Sequence, residues 1–160
     1  MKISIFGLGY VGAVAAACIA EQGIDVIAVD TDAVKVKCLQ EGRAPIVEPD
    51  LTALIKKAVD SGRLKATSDA RQAVMNSTMS LICVGTPSDE RGALKLDFVE
   101  TVCREIGAVL KDKKEFHSVV LRSTVVPGTA RRVAIPALSP RFIRASRRPK
   151  SSPTSMSPRA

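Results

Sequence analysis

Three glycines, Gly7, Gly9 and Gly12, do most to limit what this 160-residue chain can fold into, because they join two unlike stretches. Before them, Lys2–Phe6 is a short β-rich run. After them, an alanine-rich pattern of helical period continues to Gln22, where Gly23 is placed to end it. In such a turn the first glycine permits a tight bend and the second lets the backbone approach a ligand. The third lets helix and strand pack closely. The helix that opens there offers unpaired N–H groups and a positive dipole end to an anion. Glycine patterns arise often by chance, so the context decides. Here an acid, Asp30, closes a second apolar run over residues 25–30, 18 residues beyond Gly12.

Asp30 at that place predicts a carboxylate that accepts hydrogen bonds from the ribose hydroxyls of an adenosine. Its charge repels a 2′-phosphate, which favours NAD over NADP. Lys35 stands either on the adenosine side or on a solvated helix face, and spacing alone leaves both open.

The alternation continues downstream. Residues 32–41 read as a helix closed by Gly42, and Pro45 and Pro49 mark a loop. Glu48-Pro49-Asp50-Leu51 starts a helix spaced by Leu51, Leu54, Ile55 and Ala58. Leu64–Thr67 is a third strand, with Asp69 placed to cap a short helix. A fourth strand is expected over residues 79–84, and Asp97 is expected to cap a helix running to about Lys111. A fifth strand is expected over residues 117–123, and Pro127-Gly128 opens one more helix. Strands and helices alternating in this way predict an α/β doubly wound parallel sheet, the Rossmann fold. In that architecture ligands bind at the carboxyl ends of the strands. Thr86, after the fourth strand, and Thr124, after the fifth, fall at that rim; an ordinary turn before a helix explains them equally well.

Aromatics are 3% of the chain against 46% hydrophobic residues, so the core must come from Val, Ile, Leu and Ala. The net charge of +8 suggests a nucleic-acid partner until it is divided. All 16 acidic and 18 of the 24 basic residues fall in 1–136, leaving +2 there and +6 on 137–160. The expected organisation is therefore a dinucleotide-binding domain over 1–136 and a basic Ser/Pro/Arg tail over 137–160. That tail has too little to bury to offset its ordering entropy and is expected to be disordered. Its only aromatic is Phe142, so nonspecific stickiness is expected and no specific nucleic-acid partner. Lys2 and the uncharged run over 3–20 mimic a secretion signal, but the ordered glycines and the continuing βα pattern argue against one. Neither a membrane nor a metal is expected. Cys18, Cys38, Cys83 and Cys103 lie far apart among aliphatic residues. They are expected to be reduced, buried and without chemistry, in a cytoplasmic protein. His117, the single histidine, is expected to be structural or exposed.

Five stretches together resemble the UDP-glucose/GDP-mannose dehydrogenase family. They are Ile5-Phe6-Gly7-Leu8-Gly9-Tyr10-Val11-Gly12, Val29-Asp30 with Lys35, Pro45-Ile46-Val47-Glu48-Pro49, Cys83-Val84-Gly85-Thr86-Pro87 and Ser123-Thr124-Val125-Val126-Pro127-Gly128. Phe6, Gly12-Ala13-Val14 and the run from Val102 to Gly107 look most like its GDP-mannose branch, with the UDP-glucose branch as rival. The resemblance implies NAD as cofactor, contacted by Tyr10, Val11, Asp30, Lys35, Thr86 and Thr124. It implies a two-step oxidation of a sugar C6 alcohol to a carboxylate, in which a cysteine holds the aldehyde stage and a lysine and an asparagine assist. It also implies homo-oligomers, and products that supply polymers such as alginate. The likeness ends near residue 136, whereas the family continues into a sixth strand, a long helix and a second domain with the catalytic cysteine. The expectation is thus a truncated copy with a sheet incomplete at its C-terminal edge. It would meet a nucleotide sugar, GDP-mannose or UDP-glucose, only if the missing domains were supplied, and alone it would be inactive; the alternative is a stand-alone NAD-binding module without catalysis.

Overall fold

The computed structural model describes residues 1–139. Five strands, β1 (Lys2–Phe6), β2 (Asp25–Val29), β3 (Leu64–Thr67), β4 (Met79–Ile82) and β5 (Ser118–Leu121), form one sheet in the order β3-β2-β1-β4-β5. Every pairing is parallel. The chain builds outward from β1 in one direction, then returns to add β4 on its other side. The order therefore switches between β1 and β4, where the carboxyl ends of the strands leave a crevice. The doubly wound sheet expected from the sequence is the observed fold.

Period-2 alternation divides the core into two layers. Ile3 and Ile5 pack with α1 (Tyr10–Glu21), α2 (Ala33–Gln40) and α3 (Leu51–Asp60). Phe6 and Ile82 pack with α4 (Ala70–Met75), α5 (Asp97–Leu110) and α6 (Ile135–Leu138). Asp32 caps α2 by accepting from the Val34 amide, and Asp69 caps α4 through the Gln72 amide. α5 departs from expectation. Leu96 occupies its cap position, and Asp97 lies in the first turn, where a negative charge still favours the helix dipole.

The last two strands are shorter than expected. β4 stops at Ile82 because residues 83–85 turn away along the crevice, and β5, paired only with β4, stops at Leu121. A π-helical turn over Ala130–Ala134 then runs into α6. Pro136 lies inside that stretch and has no N–H to return to the Arg132 carbonyl, a local reason for the wider winding before it. Helical structure continues past residue 136. Ala137 is buried, and a Cβ on Gly107 of α5 would come within 2.4 Å of the Leu138 carbonyl oxygen. The rest of the expected tail, 140–160, lies outside the described residues.

Candidate cofactor site

The glycine turn is already formed. The Gly7 amide donates to the Val29 carbonyl at 2.8 Å, tying the turn to β2. Gly7 has φ +96°, and an added Cβ would sit 3.0 Å from the Val84 backbone. A Cβ on Gly12 would fall 1.8 Å from the Gly7 carbonyl oxygen, so no side chain fits where α1 crosses the turn. Gly9 is different: a Cβ there would meet no protein atom within 4 Å. As the cap residue of α1, Gly9 has no side chain to bond the first-turn amides. They stay available to an anion lying over the turn.

Beside the turn opens a cleft of about 480 Å³, the size of an ordinary ligand pocket. Gly7, Gly9, Asp30 and Lys35 line it, as do Thr31, Ser68 and Ala70 beyond β2 and β3. Cys83, Val84 and Gly85 form the wall beyond β4, and Phe98, Thr101, Val102 and Glu105 of α5 form the facing wall. A second cleft, of about 400 Å³, lies where Lys2, Asp25, Arg63 and Lys65 meet α4. Its one glycine, Gly62, lies in the turn between α3 and β3, and no helix starts there, so the first cleft is the candidate.

Asp30 proves to be more than a rim carboxylate. Its Oδ2 accepts from the Leu8 amide inside the turn at 2.6 Å, and its Oδ1 from the Asp32 amide at 2.9 Å. The Lys35 ammonium stands 3.9 Å from Oδ2. The carboxylate therefore braces the turn from β2, and each oxygen keeps lone-pair capacity for a further donor. Open space over Gly9, free amides and a carboxylate with spare acceptor sites together fit the pyrophosphate and ribose of a dinucleotide.

The other expected residues are placed differently. Tyr10 and Val11 stand exposed at the start of α1, outside the cleft lining. The Glu48 carboxylate beside Tyr10 raises its phenol above the ordinary tyrosine value. Gly12 is buried and serves packing. Thr86 Oγ1 donates to the Thr124 carbonyl at 2.8 Å, fastening the loop after β4 to the loop after β5. Both threonines lie past the cleft wall at Gly85. The α5 wall was missing from the sequence reading, although its signal was present. Phe98, Thr101, Val102 and Glu105 recur at helical spacing on one face, and Phe98 is an aromatic left 57% exposed.

Two of the four cysteines depart from expectation: Cys18 is exposed and Cys38 partly so, whereas Cys83 and Cys103 are buried. Burial raises the Cys83 thiol above its ordinary value, opposed by the Arg122 charge, and burial pushes Cys103 to about 11. Neither is poised as a thiolate nucleophile near neutral pH. His117 sits at the opposite end of the sheet, bonded to Ser80 and the Ser77 carbonyl.

Comparison with known proteins agrees with this geometry. The sequence profile of the UDP-glucose/GDP-mannose dehydrogenase family, NAD binding domain, matches residues 1–145. The GDP-mannose 6-dehydrogenase of Pseudomonas aeruginosa is 52% identical over 138 residues, which are 86% of this chain and 32% of that protein. A crystal structure of a ternary complex of GDP-mannose dehydrogenase from the same organism superposes with a TM-score of 0.85 at 52% identity, over 86% of this chain and 32% of that one. A UDP-glucose dehydrogenase from Pyrobaculum islandicum gives a TM-score of 0.82 at 37% identity, with the same coverage. The chain thus spans about a third of the length of these relatives. With its glycine turn, its braced aspartate and this match along most of its length, the chain belongs to the UDP-glucose/GDP-mannose dehydrogenase family and corresponds to its NAD-binding domain.

Proposed function

We propose that this chain is the cofactor-holding half of a nucleotide-sugar 6-dehydrogenase whose substrate is GDP-mannose, oxidised at C6 to GDP-mannuronate. The observation that carries the substrate is the gap in identity, 52% to a GDP-mannose enzyme against 37% to a UDP-glucose enzyme. When bound, NAD supplies the hydride acceptor of each of the two oxidations. The chain's own residues bind and orient it. The amides at the start of α1, over Gly9 and through Tyr10 and Val11, take the pyrophosphate. Asp30 takes the ribose hydroxyls, with Lys35 beside it. Thr86 and Thr124 hold the far rim.

Residues 1–139 supply cofactor binding and not, by themselves, sugar oxidation. Positioning the reacting carbon supplies much of such a rate, and the domains that bind the sugar in the family have no counterpart among the described residues. A nucleotide sugar becomes its partner when those domains are supplied, in the homo-oligomeric assembly usual in the family. The cytoplasm, with its reduced thiols, is the compartment that fits, and uronate polymers such as alginate are the use that fits the product. No described helix is long and apolar enough to cross a membrane.

Calorimetric titration with NAD and NADP tests the binding half of this reading, and NADH formation from GDP-mannose tests the other half. Saturable NAD binding with NADP at least about tenfold weaker is expected, with no turnover. Equal affinity for the two cofactors would remove Asp30 from the ribose. Turnover by the chain alone would overturn its dependence on other domains.

A further inference from the structure

A closed set of polar groups lies at the end of the sheet away from the cofactor, where the sequence shows only scattered serines in apolar strands. Ser4 of β1 and Ser80 of β4 are fully buried and Ser77 is 3% exposed, yet none lacks a partner. Ser77 Oγ donates to Ser4 Oγ at 3.0 Å, Ser4 and Ser80 share a bond of 2.7 Å, and Ser80 meets His117 Nε2 at 2.8 Å. His117 Nδ1 lies 3.2 Å from the Ser77 carbonyl. One tautomer lets every bond run in the same sense. With the ring neutral and its proton on Nδ1, Ser77 donates to Ser4, Ser4 to Ser80, Ser80 to Nε2, and Nδ1 back to Ser77.

A proton on Nε2 breaks this sense. Nε2–H must then donate to Ser80, Ser80 must turn to Ser4, and Ser4 is left with the Met79 carbonyl at 3.3 Å. The same event adds charge beside a cation already in place. The Lys113 ammonium donates to the carbonyls of Val74, Met75 and Ser77, so it shares the Ser77 carbonyl with the ring while closing the end of α4. The polar groups that β1 and β4 bring to the ring are hydroxyls, and α4 with the turn after it brings carbonyls. Lys113 is the charged group that acts on it.

We propose that His117 is a pH-sensitive clasp: neutral, it fastens the edge strand β5 to β1 and β4, and protonation loosens β5. Burial, with Lys113 adding to it, holds the ring below the ordinary histidine value, as a clasp closed at neutral pH requires. β5 is the strand with something to release. It pairs on one side only, and its far end leads into Ser123 and Thr124, which are bonded to Val84 and Thr86. Loosening it disturbs the far rim of the cofactor cleft, a consequence that rests on the function proposed above.

The test uses the full 160-residue chain, whose single histidine gives one unambiguous ring signal in long-range ¹H–¹⁵N spectra. The ring is expected to carry its proton on Nδ1 near pH 8. As pH falls to about 5, exchange of the Ser118 and Arg122 amides, corrected for intrinsic rate, should quicken about tenfold relative to β1. That step should follow the ring's own titration. Lys113→Gln should move ring and step together to higher pH, and His117→Gln should abolish the step. Should His117→Gln fail to fold, the Lys113→Gln arm decides alone. A proton on Nε2, β5 and β1 losing protection in parallel, or a step that ignores the ring's titration would each overturn the clasp. NAD affinity should fall through the same step. If it does not while the exchange step is present, Thr124 leaves the cofactor reading and the clasp stands.

Discussion

β1 and β5 are strands of one sheet held by different means. β1 is central, paired with β2 on one side and β4 on the other, and Ile3, Ile5 and Phe6 are at most 4% exposed. Its position follows from apolar burial on both faces, which the run Ile3-Ser4-Ile5-Phe6 makes plain. β5 has one partner, none of its residues is fully buried, and Val120 is 40% exposed. What holds β5 is a ladder on one side, the His117 bonds at its start and the Ser123 and Thr124 bonds at its end. The central strand is specified by what it buries, and the edge strand by the polar groups at its two ends. Substitutions at the centre should therefore act through packing and large energies, and those at the edge through hydrogen bonding, pH and association.

The largest effects are expected where the glycine turn meets β1. Gly12→Ala places a methyl 1.8 Å from a backbone oxygen that cannot move without breaking the turn. A loss of about 3 kcal/mol or more by denaturant unfolding is expected, with NAD binding lost. Gly9→Ala, with open space at the same turn, should leave stability within about 1 kcal/mol and still weaken NAD at least about tenfold. If both variants lose only stability, or both lose only binding, the division of labour between these glycines is wrong.

Asp30→Ala comes next, because it removes both functions of one carboxylate. The amide of fully buried Leu8 loses its acceptor, which costs about 1–3 kcal/mol, and the ribose loses its partner. Unfolding midpoints and NAD/NADP titrations should both change. Unchanged stability would mean that the bond to Leu8 does not brace the turn. An unchanged cofactor ratio would mean that Asp30 is a brace and nothing more.

These two experiments fall on opposite sides of what the sequence could tell. The glycine spacing, the acid closing β2 and the alternation of apolar runs were legible because local chemistry dictates each of them. The second function of Asp30 was not, because it exists only once Leu8, 22 residues away, comes within 2.6 Å. The α5 wall was hidden in an ordinary amphipathic helix. Phe98 and Glu105 are unremarkable until the sheet order sets that helix across from β2. The end of β4 was overestimated because the apolar residues Cys83 and Val84 continue past it, and that of β5 because Arg122 and Ser123 follow it before any proline or glycine marks a turn. Strand length is set by where the partner turns away, and β4 leaves β1 after the bond from the Cys83 amide to the Phe6 carbonyl. The His117 clasp joins residues up to 113 positions apart, and no spacing between them marks them as one group.

A smaller effect is expected from pH. The folded state holds His117 below its ordinary value and the unfolded chain does not, so the unfolded state binds more protons as pH falls. Stability should be full above the ordinary histidine value and decline as pH drops through the lowered folded value. His117→Gln should flatten that decline between about pH 7 and pH 5. Less should be lost than with Asp30→Ala, because the hydroxyls re-pair instead of going without partners. A variant whose stability falls as steeply as the parent's over this range would place the pH dependence elsewhere.

The smallest change in stability, and the most selective test of the edge, is expected from Val120→Lys. Val120 is 40% exposed on β5, whose outer row of N–H and C=O groups pairs with nothing among the described residues. An apolar edge of that kind is a template for a strand from another molecule, and a lysine there is a common natural defence. Because the side chain already faces partly outward, stability should move by no more than about 0.5 kcal/mol. Association should respond far more. The parent chain should show light scattering or sedimentation that rises with concentration, and Val120→Lys should reduce it. A lysine at Val34 of α2, 72% exposed and away from the edge, should have no such effect. If both lysines reduce association equally, added charge is responsible and the β5 edge is not the point of contact. A parent chain that stays monodisperse at high concentration would show that one paired side and the polar bonds at its two ends are enough to protect β5.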